Sequence, residues 1–150
     1  MHPNAALIER FYTAFAARDA AGMKACYHPD VVFSDPAFGE LRGAQAGAMW
    51  ALLLERGRDL RVTFSDVRAD DERGGAHWEA HYTFGHTGRA VHNRIDAEFE
   101  FRDGLIARHT DRFDFWAWAR QALGPAGWVL GLWPFRLLVR RRARADLDRF

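Results

Sequence analysis

Leu105-Ile-Ala-Arg-His109-Thr-Asp111-Arg-Phe113-Asp114 decides the reading of this chain, because it looks like a β-strand carrying a histidine and a carboxylate among apolar neighbours. Ile95 to Phe101, just before it, alternates in the same way. Arg102-Asp103-Gly104 joins the two and is a hairpin signal, with glycine where a left-handed residue is needed. A three-residue loop sets Phe101 opposite Leu105, Phe99 opposite Ala107, Ala97 opposite His109 and Ile95 opposite Asp111, with Glu98 opposite Arg108 on the reverse face. A two-residue Asp-Gly turn would slip the pairing by one and turn over every side chain of one strand. Arg108 and Arg112 would then point inward, at a cost of several kcal/mol for each unpaired charge. The three-residue loop is therefore expected. His109 and Asp111 would stand side by side on the face holding Phe99 and Phe101, each able to perturb the other's pKa.

Working upstream, Trp78, Ala80, Tyr82 and Phe84 form the apolar face of a strand over Ala76 to Gly85, and His77, Glu79, His81 and Thr83 the polar one. A two-residue Thr87-Gly88 turn pairs it with Val91 to Phe101, setting Tyr82 opposite Asn93, Ala80 opposite Ile95 and Trp78 opposite Ala97. Glu79 would face Asp96, with Arg94 opposite His81 to relieve the repulsion. Leu60, Val62 and Phe64 mark another half-buried strand, followed by a turn over Asp70 to Gly75.

The first half is mostly helical. Leu7, Phe11, Ala14 and Phe15 recur at helical spacing, widened by Ile8 and Tyr12, and predict a helix over Asn4 to Ala17. Asp19 can cap a short helix, Ala20 to Tyr27, which must end before His28-Pro29. Val31 to Asp35 is a short strand with Val31, Phe33 and Asp35 on one face. A glycine-rich link, Phe38 to Gly43, leads to a helix over Ala44 to Arg56, closed by Gly57. After the central strand, Phe115 to Leu123 is a helix stopped by Gly124-Pro125. The tail holds an apolar run, Trp128 to Val139, and a basic one, Arg140 to Arg144. Helices on one face of a curved sheet make the chain α+β.

At 150 residues the chain suits one domain that buries roughly two-thirds of its unfolded surface. A net charge of +1 argues against nucleic acid as a partner. The single cysteine, Cys26, excludes an internal disulfide and any Cys-based zinc site. Together with an N-terminus lacking the layout of a secretory signal, it favours the cytoplasm. Six tryptophans and twelve phenylalanines suit either a ring-lined cavity or ordinary core filling.

Three segments carry a family resemblance: Arg10-Phe-Tyr-Thr-Ala-Phe-Ala-Ala-Arg-Asp19, Val31-Val-Phe-Ser-Asp35-Pro36 and Phe99-Glu-Phe-Arg-Asp-Gly-Leu-Ile-Ala-Arg-His109. Through them the chain, from about Leu7 to Gly124, resembles the nuclear transport factor 2-like superfamily, in its SnoaL-like, ketosteroid-isomerase-like branch. The resemblance implies a cone-shaped, mixed and mostly antiparallel sheet around a pocket, with the N-terminal helices packed on it, commonly in a homodimer. Residues 125–150 then form a helical extension to a 1–124 cone domain.

Three catalytic templates of that superfamily fall unevenly on the chain. The isomerase's general-base aspartate falls on Asp35, but its oxyanion-hole tyrosine falls on Phe11 and its protonated aspartate on Ala97. Steroid isomerisation by that pair is therefore not expected. Asp111 matches the catalytic carboxylate of limonene-epoxide hydrolases, whose partner Arg and Asp fall near Trp78 and Ala80. In SnoaL-type cyclases a His and an Asp near the last strand shuttle a proton, a part that His109 with Asp111 or Asp114 could take.

Each site has a plainer reading beside the functional one. Asp35 is either a base at a cavity edge or a cap on the turn at Pro36. His109 with Asp111 is either a proton-moving pair or a buried pair that holds the sheet. His77, Glu79 and His81 align as possible metal ligands, but a solvated or dimer-facing surface is the preferred reading. The tail is read as a helix closing the cone in preference to a membrane anchor.

The leading expectation is a cofactor-independent proton-transfer enzyme, of isomerase, cyclase or hydrolase type, acting on a small hydrophobic molecule. Asp35 would be the base, and His109, polarised by Asp111, the acid or orienting group. Trp50, Trp78, Tyr82, Asn93, Phe99, Phe101 and Phe113 would contact the ligand. The alternative is a module that binds a small ligand or supports an oligomer without chemistry.

Overall fold

The computed structural model describes residues 1–126 and 133–150. Helices α1 (Pro3–Ala16) and α2 (Ala20–Ala25) come first, then strands β1 (Tyr27–Asp35) and β2 (Gly39–Arg42) and helix α3 (Ala44–Arg56). Strands β3 (Arg61–Ala69), β4 (Arg73–Phe84), β5 (Arg89–Arg102) and β6 (Leu105–Arg112) follow in series, and then α4 (Phe115–Leu123) and α5 (Trp133–Arg149). The strands form one six-stranded sheet in the order β2-β1-β6-β5-β4-β3. Every neighbouring pair is antiparallel except β1 and β6. The last strand thus lies between the first strand and the meander, which brings residues near 35 beside residues near 111.

Local chemistry explains the boundaries. His2 caps α1 by accepting the Asn4 N–H, with Pro3 at the first helical position. Asp19 caps α2 through the Gly22 N–H, and Asp114 caps α4 through the Ala117 N–H. Helix α3 has the predicted limits, with Gly57 N–H closing on Leu53 O. The glycine-rich link, by contrast, contains strand β2. Gly39, at φ 74°, lets the chain reverse and pair Phe33 with Leu41.

The register of the central hairpin is a correction with its own compensation. The turn has two residues, not three: Arg102 pairs with Leu105, and both Asp103 (φ 58°) and Gly104 (φ 75°) are left-handed. Taken alone, that slip would have turned His109 outward. A bulge then leaves Ala107 unpaired, between Phe101↔Ile106 and Glu100↔Arg108, and restores the parity. His109 pairs with Phe99 rather than Ala97, and Asp111 with Ala97 rather than Ile95. Both side chains still point inward, with Arg108 and Arg112 outside.

The preceding hairpin is also two residues out of its expected register. Phe84 pairs with Arg89 across a four-residue loop, and Tyr82, Ala80 and Trp78 face Val91, Asn93 and Ile95. Thr87 donates its hydroxyl to Ala122 O at the end of α4 and receives the Arg89 N–H. A contact with a later helix therefore opens a loop that local sequence would close. An even slip preserves the faces, so Trp78 and Ala80 remain inside.

The core lies between the sheet and helices α1 and α3. It is dense with rings: Phe11, Tyr12, Phe15, Phe33, Trp50, Trp78 and Phe99 are all buried. Phe15 meets Trp50 and Trp78 edge-on at 5.0 and 5.3 Å, and Phe11 stacks on Tyr27 at 5.2 Å. A second, smaller cluster joins α4 to β5 through Val91, Phe115, Trp118, Ala119 and Ala122. Leu147 of α5 belongs to the main core. In the segment Trp128 to Val139, residues 128–132 lie outside the described residues. Among the described residues no helix is long and apolar enough to cross a membrane.

Candidate active site

Parallel pairing of β1 with β6 sets Phe33 beside His109 and Ser34 beside Thr110. The next positions in that ladder are Asp35 and Asp111. Both line an open cleft of about 340 Å³, together with Ser34, Pro36, Thr110, Arg112 and Phe113. Two carboxylates thus meet where the first and last strands end.

Asp111 is held from behind. Its Oδ1 accepts the Trp78 indole N–H at 3.2 Å and lies 2.8 Å from His109 Nε2. His109 Nδ1 is 2.7 Å from the Tyr27 hydroxyl, which accepts the Trp50 indole N–H at 2.8 Å. With a neutral imidazole, one donor order satisfies every atom. The Trp50 N–H goes to Tyr27, the Tyr27 O–H to His109 Nδ1, and the His109 Nε2–H to Asp111. Rings enclose the chain of bonds, with Trp50 stacked on the imidazole at 5.8 Å and Phe99 tilted against it at 4.5 Å. His109 is 0% exposed and Asp111 3%, so the carboxylate reaches the cleft and the imidazole does not.

Asp35 is half-buried, and its Oδ1 accepts the Ala37 N–H at 2.9 Å and the Phe38 N–H at 2.6 Å. Burial raises its pKa first of all, the Asp111 charge adds to the rise, and the two amides with Arg140 oppose it. The result lies at about 7. Nearby, the Tyr82 hydroxyl accepts the Trp118 N–H at 2.7 Å. Burial, aided by the Asp35 charge, pushes its pKa up to about 12 against the effect of that bond.

The expected site residues are thus divided. Asp35, Asp111 and Phe113 share the cleft. His109 stands behind Asp111, so its expected contact with a ligand is replaced by a contact with the carboxylate. Trp50, Trp78 and Phe99 fill the interior instead of lining a cavity. Phe101 packs partly buried against the core, beside Gly74. Asn93 sits half-buried opposite Ala80. Tyr82 lines a second open cleft, of about 420 Å³, with Asp59, Arg61, His81 and Gln121 among others. Two residues that bear on these groups are not legible locally. Tyr27, expected at the end of a helix, opens strand β1, and Arg140 lies about a hundred residues from Asp35 in sequence, too far for any local pattern to connect them.

On the outer face, His77 bonds Asp96 through Nδ1 and Glu79 through Nε2, both at 2.9 Å, and His92 Nε2 meets the other Glu79 oxygen at 2.6 Å. His81 stacks on His92 at 3.9 Å. The expected Glu79–Asp96 opposition is absent, because Asp96 pairs with His77 and Glu79 with Arg94. Hydrogen bonds to Asp96 and Glu79 raise the His77 pKa. Among the described residues no group of three or more His, Cys, Asp or Glu is arranged to hold a metal ion.

The family model described as SnoaL-like domain matches residues 8–109. No curated protein matches the chain. Among solved structures, a candidate polyketide cyclase from Xanthomonas campestris pv. campestris is 26% identical, with a TM-score of 0.64, over 79% of this chain and 96% of that one. TerC, crystallised with polyporic acid, is 23% identical, with a TM-score of 0.68, over 80% and 98%. An LEH-like epoxide hydrolase from M. tuberculosis is 21% identical, with a TM-score of 0.68, over 85% and 93%.

Proposed function

Since this chain belongs to the SnoaL-like domain family of the NTF2-like superfamily, we propose that it moves a proton on a small apolar molecule at the Asp35–Asp111 cleft, as an isomerase, cyclase or hydrolase. One observation carries the reading: two carboxylates on adjacent parallel strands open onto the same cleft. The polyketide-cyclase and epoxide-hydrolase names of its structural neighbours fall within that range of chemistry.

The roles follow from the surroundings. With a pKa at about 7, Asp35 both takes and returns a proton near neutral pH, the condition under which general acid–base catalysis is most effective. Asp111 is fixed through Oδ1 by Trp78 and His109, so it orients a water or a substrate hydroxyl toward Asp35. Tyr27, Trp50 and His109 act through Asp111 and are positioning residues. Phe113 supplies an apolar wall to the cleft. The scheme calls on no cofactor.

The test uses a panel of aromatic 1,3-dicarbonyl compounds and epoxides in deuterated water, followed by NMR and mass spectrometry. Wild type is expected to incorporate deuterium or form product with at least one class. Asp35→Asn and Asp111→Asn should each lower the rate about 10²- to 10⁴-fold. Full activity in either folded variant overturns the assignment.

A specific contact favours a second reading, ligand binding without chemistry. Asp35 Oδ1 already closes the Pro36–Phe38 turn through two amides. Wild type that binds panel compounds and leaves them unchanged supports that reading.

A further inference from the structure

The basic tail returns to the cleft. Arg140, on α5, donates from Nη2 to Pro36 O at 3.3 Å. Its side chain lies over Gly39, where a Cβ would come within 3.1 Å of its Cδ and 3.3 Å of its Nε. Gly39 is the register partner of Asp35, and Pro36 follows Asp35 in the chain. The guanidinium therefore rests across both ends of the turn that Asp35 closes. Its Nε is buried and has no hydrogen-bond partner among the described residues. One turn further along the helix, Arg144 donates to Glu40 O at 3.2 Å, so two arginines tie α5 to this hairpin.

We propose that Arg140 is a positioning residue of the cleft, and that α5, which lies beyond the family-matched segment, is part of the site: Arg140 clasps the Pro36–Gly39 turn and sets a fixed positive charge beside Asp35. The proposal rests on the reading of Asp35 as the proton-carrying group. Charge also reaches Asp35 from the other elements packed around it. Asp111 approaches from β6 and raises its pKa, Arg140 approaches from α5 and lowers it, the Tyr82 hydroxyl on β4 feels the Asp35 charge, and Arg112 lines the same cleft. Burial drives Asp35 toward the neutral acid, and the Phe38 and Ala37 amides, with the Arg140 charge adding to them, oppose that drift. Without that charge the carboxyl would hold its proton further above neutrality, and a smaller fraction would be ready to act as a base at pH 7.

The full-length chain, labelled at the aspartate side-chain carboxyl carbon, is titrated by NMR with no substrate present. Arg140→Gln is expected to move the Asp35 midpoint upward by about 0.5 to 1 pH unit, the lower end of what a neighbouring charge does. Arg140→Lys keeps the charge without the planar fork and is expected to return the midpoint toward wild type. Arg144→Gln removes a tie to the same hairpin that carries no contact to Asp35, and is expected to leave the midpoint in place. An unmoved midpoint in folded Arg140→Gln overturns the proposal, and so does an equal shift in Arg144→Gln. If Arg140→Gln does not fold, Arg140→Lys decides, and a midpoint well above that of wild type overturns the role of the charge. Because no turnover is read, the result is separate from the outcome of the activity assay.

Discussion

Asp35 is pulled two ways, and the balance is measurable as stability. The folded chain holds its proton up to about pH 7, whereas an unfolded aspartate releases its proton near about pH 4. The folded state therefore binds the proton more tightly across that window. The contribution of Asp35 to stability is full below about pH 4 and is lost as pH climbs through 7. Asp35→Asn retains an acceptor for the Ala37 and Phe38 amides and carries no charge. It should match wild type in urea unfolding near pH 4 and exceed it by about 1–2 kcal/mol at pH 8, a discounted share of the full linkage because water enters the cleft. A wild-type advantage at pH 8 would contradict this account. His109 shows the complementary case, a polar group that is stable in a ring-lined interior because both of its nitrogens are engaged.

At the scale of elements, a single unpaired residue decides which way the last strand faces. The two-residue Asp103-Gly104 turn and the Ala107 bulge are each a slip of one, and only their combination keeps His109 and Asp111 inside. Deleting Ala107 removes the extra residue itself, so Phe101↔Ile106, Glu100↔Arg108 and Phe99↔His109 become consecutive pairs of a regular ladder. His109 and Asp111 stay inside, whereas pairing Ala107 with Glu100 would turn them outward and bring Arg108 and Arg112 into the rings. The expected outcome is a deletion variant that keeps dispersed amide NMR signals, and a chain without them would show that the strand face is not set by this pairing. Alternation marked the inner side correctly at His109 and Asp111, but not before the bulge, where Ile106 is buried and Leu105 and Ala107, expected inside, are half-buried. It could not mark the bulge, because an unpaired alanine looks like any other strand residue until its partner strand is known.

At the scale of the whole molecule, α5 joins a tail remote in sequence to the domain it follows. Leu147 is buried in the main core, Arg56 on α3 meets Asp146 at 3.2 Å, and Arg140 and Arg144 reach the β1–β2 hairpin. Leu147→Ala should therefore cost about 2–3 kcal/mol in a single cooperative denaturant transition. A loss below about 0.5 kcal/mol, typical of surface sites, would mean that the tail contributes little to the fold. The exposed Arg56–Asp146 pair adds little beside that burial.

Short-range patterns in the chain were enough to determine the α+β class, the limits of α3 and α4, the cap at Asp19, and the inward direction of His109 and Asp111. Each is written in a window of a few residues by capping chemistry or by the period of apolar side chains. Tertiary structure alone decided the rest: the β2 strand, both hairpin registers, the parallel seating of β6 against β1, the filling of the interior by tryptophans, and the reach of Arg140 to Asp35. The physical reason is that these depend on contacts between residues distant in sequence, whose closing entropy is offset only when the whole core packs at once. Asp35 and Asp111 were each visible as residues of interest. That they open onto one cleft, with His109 behind it, follows from a pairing no local pattern records.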